Sequence, residues 1–295
     1  MKLDKYPILV RGAGEHASGV AWHLHRAGFP LVMTERHEPL AVRRHVAFAR
    51  AARKGESLVE GVTARLCGER LHPDEHGEPV DAPTPVVDDA IATAVRKVWK
   101  SCEIAVVIDD GIRLTEHFDF AAILDARMLK EADGSIVGKA PFTLALGPGY
   151  TAGEHVDAVV ETLRGHDLGR VYYKGSAAPN TGVPGEVGGE THTRVYHSPC
   201  EGRFWAHVKI GQMVRKGDLI GVFEGDCKEP CTIVAEIPGI VRGLLADGEI
   251  VPEGTKVADV DPRGEDIDPA TLSEKTRALA GGVLTALLAA ITEGS

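Results

Sequence analysis

Between residues 199 and 258 the chain repeats itself. Gly202, Gly211, Val214 and Gly217 recur 37 positions later as Gly239, Gly248, Val251 and Gly254. Each copy reads G-x8-G-x2-V-x2-G and runs into an apolar stretch: Leu219, Ile220 and Val222 in the first copy, Lys256-Val-Ala-Asp-Val260 in the second. A short β unit of this size cannot bury its apolar face alone, so two copies are expected to pack on each other. The repeat therefore sets the end of the chain apart from what precedes it.

The start of the chain has a different pattern. Tyr6–Val10 is a short apolar run ending at Arg11-Gly-Ala-Gly14. Ala17–Ala27 has helical spacing, with Val20, Leu24 and Ala27 on one face, and Gly28 and Pro30 stop it. Leu31–Thr34 follows as a strand leading to Glu35, which completes a β-α-β unit. Further on, the pattern predicts a helix from Pro39 to Gly55, a single strand over Val59–Leu66 and a polar loop over Leu71–Pro85. It then predicts a helix over Asp89–Trp99, strands at Ile104–Ile108, Phe120–Leu124 and Phe142–Leu146, a helix over His155–Leu163 and a strand at Val171–Tyr173.

The fold class these readings predict is α/β. A Rossmann-like domain spans 1–174, a Gly/Pro-rich loop or linker 175–190, a barrel-sandwich module of the biotinyl/lipoyl type 191–264, and a terminal helix 265–295. Gly281-Gly282 inside that helix costs stability, so close packing against another element is expected there.

Composition narrows the function. The formal charge is −10 and the pI near 5.7, which excludes the basic surface a nucleic-acid binder needs. The apolar window Ala278–Ile291 is shorter than the ~20 residues of a membrane span, so no membrane contact and a cytoplasmic location are expected. Five cysteines, at 67, 102, 200, 227 and 231, are odd in number and irregularly spaced, so a disulfide framework is not expected.

Candidate chemistry centres on glycine-rich turns. Gly12-Ala-Gly14-Glu-His-Ala17 fits G-x-G-x-x-A between a strand and a helix. Such a turn lets a pyrophosphate approach the helix N-terminus, where free N–H groups and the dipole favour anions. Glu35, 21 residues after Gly14, stands where a carboxylate accepts from a ribose hydroxyl. Arg11, Glu15 and His16 flank the turn. Gly147-Pro-Gly149-Tyr-Thr151-Ala-Gly153 is a second loop of the same kind, and Asn180-Thr181 opens a glycine-rich segment suited to a ligand contact. Cys200, Cys227 and Cys231 lack the C-x2-C spacing of a zinc site, and no metal site is expected. Lys228 lies 11 residues before Gly239, the separation at which biotinyl modules carry their modified lysine, but Asp226-Cys-Lys-Glu-Pro230 is not the usual context.

Several stretches together resemble the YqeB-like selenium-dependent molybdenum hydroxylase system proteins. They are Val10-Arg-Gly-Ala-Gly14, Val42-Arg-Arg-His-Val-Ala-Phe48, Leu144-Ala-Leu-Gly-Pro-Gly-Tyr-Thr-Ala-Gly153, Glu161-Thr-Leu-Arg-Gly-His-Asp-Leu-Gly-Arg170, Asn180-Thr-Gly-Val-Pro-Gly185 and Asp259-Val-Asp-Pro-Arg263. The resemblance implies an accessory role in maturing molybdenum hydroxylases of the xanthine dehydrogenase type, alongside their other accessory proteins. It implies a molybdopterin dinucleotide, or a selenium- or sulfur-bearing intermediate, as the ligand. Two alternatives stay open: an NAD-dependent oxidoreductase using Gly12, Gly14 and Glu35, and a non-enzymatic carrier or scaffold with Lys228 as its arm.

Overall fold

The computed structural model describes residues 2–37, 39–69, 86–109, 112–225 and 231–293. The readings at 71–85, Cys227 and Lys228 lie outside the described residues. In chain order the first part holds β1 (Ile8–Arg11), α1 (Glu15–Ala27), β2 (Leu31–Glu35), α2 (Arg50–Lys54), β3 (Glu56–Val59), β4 (Val62–Leu66), α3 (Asp89–Lys100), β5 (Ile104–Ile108), β6 (Ala122–Asp125), β7 (Thr143–Leu146), β8 (Thr151–Ala152), β9 (Ala158–Val160), β10 (Val171–Tyr172) and β11 (Gly175–Ser176). Nine of these strands form one sheet in the order β10-β9-β7-β6-β1-β2-β5-β4-β3. The seven inner strands run parallel, and β10 and β3 close the two edges antiparallel.

Alternation along the strands builds two apolar layers. Ile8 and Val10 face a core with Leu31, Met33, Leu124, Leu144 and Leu146. Leu9 turns to the opposite face with Val32, Val107, Ile123 and Ala145. Both faces of a parallel sheet must be covered. α3 covers the second with Val95 and Val98, its first turn capped by the Asp88 carboxylate, which accepts from Ile91 N–H at 2.9 Å.

The first face is covered by α1 and by α4 (Glu274–Glu293), which returns from the far end of the chain. α1 and α4 cross closely because Gly19 has no side chain: a Cβ there would collide with the Thr276 methyl. The pair Gly281-Gly282 divides as its surroundings require. A Cβ at Gly282 would run into the Gly169 carbonyl oxygen, whereas one at Gly281 would meet nothing within 4 Å. By length and composition α4 could cross a membrane. In this structure Leu279, Val283 and Leu287 are fully buried against the sheet.

The second part holds β12 (Val195–His197), β13 (Gly202–Ala206), β14 (Met213–Val214), β15 (Leu219–Gly225), β16 (Cys231–Val234), β17 (Gly239–Leu244), β18 (Ile250–Val251) and β19 (Lys256–Asp261). They form two antiparallel sheets, β12-β19-β17-β14 and β16-β15-β13-β18. The repeat maps onto β13-β14-β15 and β17-β18-β19, and each half lends its middle strand to the other: β14 pairs with β17 and β18 with β13. Phe204, Ile220, Val241, Leu244, Val257 and Val260 fill the shared core. Gly211, Gly217, Gly248 and Gly254 all have φ between 77° and 93°, so the repeated glycines sit at matching left-handed turns.

The expected fold class is corrected. The first part is one large mixed sheet, not a Rossmann-like domain. Helices fill the crossovers from β1 to β2 and from β4 to β5, but the described residues joining β5–β6, β6–β7 and β7–β9 hold no α-helix, and α4 covers that half from a distance in sequence. The second part is a pair of four-stranded antiparallel sheets with exchanged strands, not a barrel-sandwich module of the biotinyl/lipoyl type. The terminal helix belongs to the core of the large sheet.

Local readings are corrected too. The run over His155–Leu163 is strand β9, because Val159 and Val160 bury opposite sides in the two cores. Val59–Leu66 is divided into a hairpin by a turn at Glu60-Gly61, φ 41° and 78°. The helix expected from Pro39 is only a 3-10 turn at Arg44–Val46 followed by α2.

Candidate functional site

The carboxyl ends of β1, β2, β5 and β6 lie side by side, with Arg11 opposite Thr34 on one flank and Asp125 on the other. β1 is the strand from which the chain steps to either side of the sheet, and ligands of open α/β sheets bind at such a point. A cleft of about 470 Å³ opens there. It is lined by Arg11, Gly12, Gly14, Thr34, Glu35, Arg36, Asp109 and Arg127, with apolar walls from Pro39, Leu40, Ala41 and Leu129.

The glycine turn is built as the sequence suggests. Gly12 has φ 89°, and its N–H donates to Thr34 O at 2.8 Å. Gly14 is the N-cap of α1 and offers no side-chain cap, so the first N–H groups of the helix lack a capping side chain. A Cβ on Gly14 would meet no atom within 4 Å. Glu35 has a part the sequence does not reveal: its Oε2 accepts from Ala13 N–H and its Oε1 from Arg36 N–H, both at 2.9 Å. The carboxylate thus fixes the turn from the neighbouring strand. Arg11 is 2% exposed, bonded to Asp125 at 3.3 Å and to Ser135. Arg127 joins Asp125 and Asp133, so the arginines on the floor of the cleft carry their own counter-charges.

Glu15, His16, Asn180 and Thr181 do not open into this cleft. They line a second, smaller pocket of about 230 Å³ on the other side of the α1 N-terminus, where the large sheet meets the antiparallel pair. Burial alone would raise the Glu15 carboxyl, but His16, Arg43, Arg242 and Lys256 outweigh it and hold it at about 2. Burial pushes His16 down to about 4 against the pull of Glu15, so the imidazole is neutral at pH 7 and its Nδ1 pairs with Thr276 Oγ1 at 3.2 Å. Glu15 therefore serves as an internal counter-charge. Asn180 and Thr181 hold their own loop, accepting from Gly182 and Val183 N–H at 3.2 Å.

The second glycine loop contributes only Pro148 to that pocket. Its glycines serve packing: a Cβ on Gly147 would meet Ala177 at 2.5 Å, and one on Gly149 would strike the 129–131 backbone. Thr151 is committed to β8, its hydroxyl 2.8 Å from that of Ser176. Gly147, Gly149 and Thr151 thus stand apart from both openings. Cys200 is disulfide-bonded, contrary to expectation, which removes it as a zinc thiolate, and no cluster of metal-ligating side chains occurs among the described residues.

Sequence reasoning missed the cations of the smaller pocket: Arg43, Arg164, Arg194, Arg242, Lys256 and Lys275. A signal was present. Five of the six stretches that carry the resemblance each place a residue here, namely Arg43, Pro148, Arg164, Thr181 and Asp259.

Fold and openings together define an α/β protein with a ligand-sized cleft at its strand ends and a cation-lined pocket at the junction with an antiparallel β pair. No family model matches the chain. It is 41% identical over 291 residues to a protein of Escherichia coli (strain K12) named Uncharacterized protein YqeB, an alignment that covers 97% of this chain and 48% of the relative. The chain belongs to the YqeB-like family and spans about half the length of that curated relative.

Among solved structures, a succinylglutamate desuccinylase/aspartoacylase from Rhodobacter sphaeroides matches at 14% identity and a TM-score of 0.26, over 86% of this chain and 84% of that one. The product-bound ectoine utilization protein EutE (DoeB) from Ruegeria pomeroyi gives 14% and 0.25 over 86% and 85%. An aspartoacylase family protein from Mesorhizobium loti gives 16% and 0.25 over 86% and 84%. Likenesses this low carry no argument about the chemistry of this chain.

Proposed function

We propose that the chain binds a dinucleotide in the cleft at the strand ends and acts as a cytoplasmic accessory protein in the maturation of molybdenum hydroxylases of the xanthine dehydrogenase type, with a molybdopterin dinucleotide as its ligand. One observation carries the binding reading: the N-terminus of α1 lacks a capping side chain and meets the cleft through Gly14, with nothing in the space a side chain would take. Such a terminus accepts a pyrophosphate. The cleft volume of about 470 Å³ falls within the ~300–1,000 Å³ range of ligand sites. Gly12 and Gly14 would receive the pyrophosphate, Glu35 a ribose hydroxyl, and the apolar wall at Leu40 and Leu129 a ring system.

The lining favours holding over transforming. Its described residues include no histidine, lysine, cysteine or tyrosine, and its carboxylates are engaged within the protein, Glu35 by Ala13 and Arg36 N–H and Asp109 by Arg113 Nε and Leu114 N–H. For that reason the accessory reading is preferred to an NAD-dependent oxidoreductase. The hydroxylase partner follows from the family resemblance.

The test is titration calorimetry with a pterin dinucleotide and with NAD on the unaltered protein and on Gly14→Val. Gly14 has φ −67° and ψ −177°, a conformation open to valine, so the variant folds while its side chain occupies the phosphate approach. Loss of at least tenfold in affinity is expected. Unchanged affinity would remove the glycine turn from the ligand site, and a preference for NAD would remove the pterin assignment.

A further inference from the structure

The pocket of about 230 Å³ at the junction of the two parts concentrates positive charge in a chain whose net charge is −10. Arg43 and Lys275 reach it from the large-sheet part, Arg164 from the loop after β9, and Arg194, Arg242 and Lys256 from the antiparallel pair. The acids are fewer, and three of them are shared. Glu15 lies 2.9 Å from Arg43 and 4.0 Å from Arg242. Asp259 lies 3.0 Å from Arg194 and 2.8 Å from Lys256. Asp261 divides itself between Arg242 at 3.4 Å and Arg263 at 2.8 Å. Glu274 pairs with Arg164. Lys275 makes no hydrogen bond or ion pair among the described residues, and burial together with Arg164 pushes its ammonium down from the ordinary lysine range.

Two further groups lack a partner. The Nε atoms of Arg43 and Arg194 are buried without a hydrogen bond, in side chains only 5% and 9% exposed. Buried donors and buried positive charge are costly to leave unmatched. Here the unmatched groups belong to one pocket, and its walls include the Asn180-Thr181 loop.

We propose that this pocket is a binding site for a phosphate-class oxyanion, separate from the dinucleotide cleft and filled by a phosphate group that bridges the two parts of the molecule. Arginine forks suit the oxygens of a tetrahedral anion. The volume fits a phosphate or diphosphate group rather than a whole dinucleotide. Because cations from both parts converge on it, a bound anion holds the antiparallel pair against the large sheet. The site does not depend on what occupies the cleft.

The experiment uses inorganic phosphate and methyl phosphate as probes at pH 7 in low salt, read by calorimetry and by thermal unfolding. One phosphate bound per chain is expected, with a melting temperature that rises with phosphate concentration as mass action requires. Lys275→Met removes an unpaired charge and leaves no acid stranded, so it should fold and lose at least tenfold in phosphate affinity. Arg164→Gln should weaken binding in the same direction. Equal binding of methyl phosphate identifies the phosphoryl end of an organic ligand, and binding of phosphate alone identifies the free ion; either supports the site. Gly14→Val should leave phosphate binding intact. The proposal is overturned if neither probe binds, if Lys275→Met and Arg164→Gln bind as the parent does, or if Gly14→Val abolishes phosphate binding and so moves the anion to the glycine turn.

Discussion

Replacing Gly281 and Gly282 by alanine, one at a time, should change stability in opposite directions although the two residues are neighbours in α4. An alanine in place of a mid-helix glycine gains about 1 kcal/mol through propensity. At Gly281 nothing opposes that gain, since the new methyl meets no atom within 4 Å. At Gly282 the methyl runs into the Gly169 carbonyl oxygen and lies 3.1 Å from Val160 Cγ1. The carbonyl is held by its own loop, where Gly169 N–H donates to Glu161 O at 3.0 Å and Glu161 N–H to Arg170 O at 2.9 Å. Overpacking against fixed backbone costs about 3 kcal/mol, the upper part of the usual range, so the net loss is about 2 kcal/mol. With roughly 2 °C per kcal/mol for a chain this long, Gly281→Ala should melt about 2 °C higher and Gly282→Ala about 4 °C lower. Urea unfolding at constant slope measures both. A Gly282→Ala protein as stable as its parent would refute the close approach of α4 to the 161–170 loop.

Glu15→Gln should flatten the acid limb of the stability curve. The folded carboxyl is held at about 2 against an ordinary 4.5, so its contribution is complete above pH 4.5 and is lost as pH falls towards 2; equal limbs for parent and variant would remove the Arg43 and Arg242 pairing. Gly149→Ala should destabilise by about 2 kcal/mol through contact with the 129–131 backbone while the folded fraction keeps its dinucleotide affinity; a selective loss of affinity would return that loop to a ligand role. Burial pushes the Cys67 thiol up to about 12, whereas Cys102 is exposed. Iodoacetamide at pH 8 should therefore label Cys102 and spare Cys67 until unfolding, and matched rates in peptide mass analysis would contradict the burial.

The glycine turn was legible because its signal is local. Arg11-Gly-Ala-Gly14 joins one strand to one helix, and both carry their own apolar period. Glu35 was found for its place at the end of β2, but its bonds to Ala13 and Arg36 depend on the register of β2 beside β1. Gly147 and Gly149 misled for the opposite reason. A glycine required by a passing backbone reads the same in sequence as one required by a phosphate, and only Ala177 and the 129–131 segment distinguish them. The smaller pocket was legible only in part: Glu15, His16, Asn180 and Thr181 were singled out, but not as one site and not with its cations. Its cations lie between positions 43 and 275, each of them an ordinary charged residue within its own segment.

The sequence alone determined the elements whose cause lies within a few residues. It defined the first β-α-β unit, the helix that became α3, and the two-copy β pattern with its repeated glycines. Tertiary structure decided what those elements became. The sheet grew to nine strands with antiparallel edges because β3 and β10 found free strand edges. Val159 and Val160 became strand β9 because β7 and β10 lie on either side. The last helix joined the first core because Gly19, Gly169 and Gly282 permit a close approach. Apolar period specifies which face a segment buries, but not its partner. That choice is made by shape and charge across distances in sequence that no local pattern records.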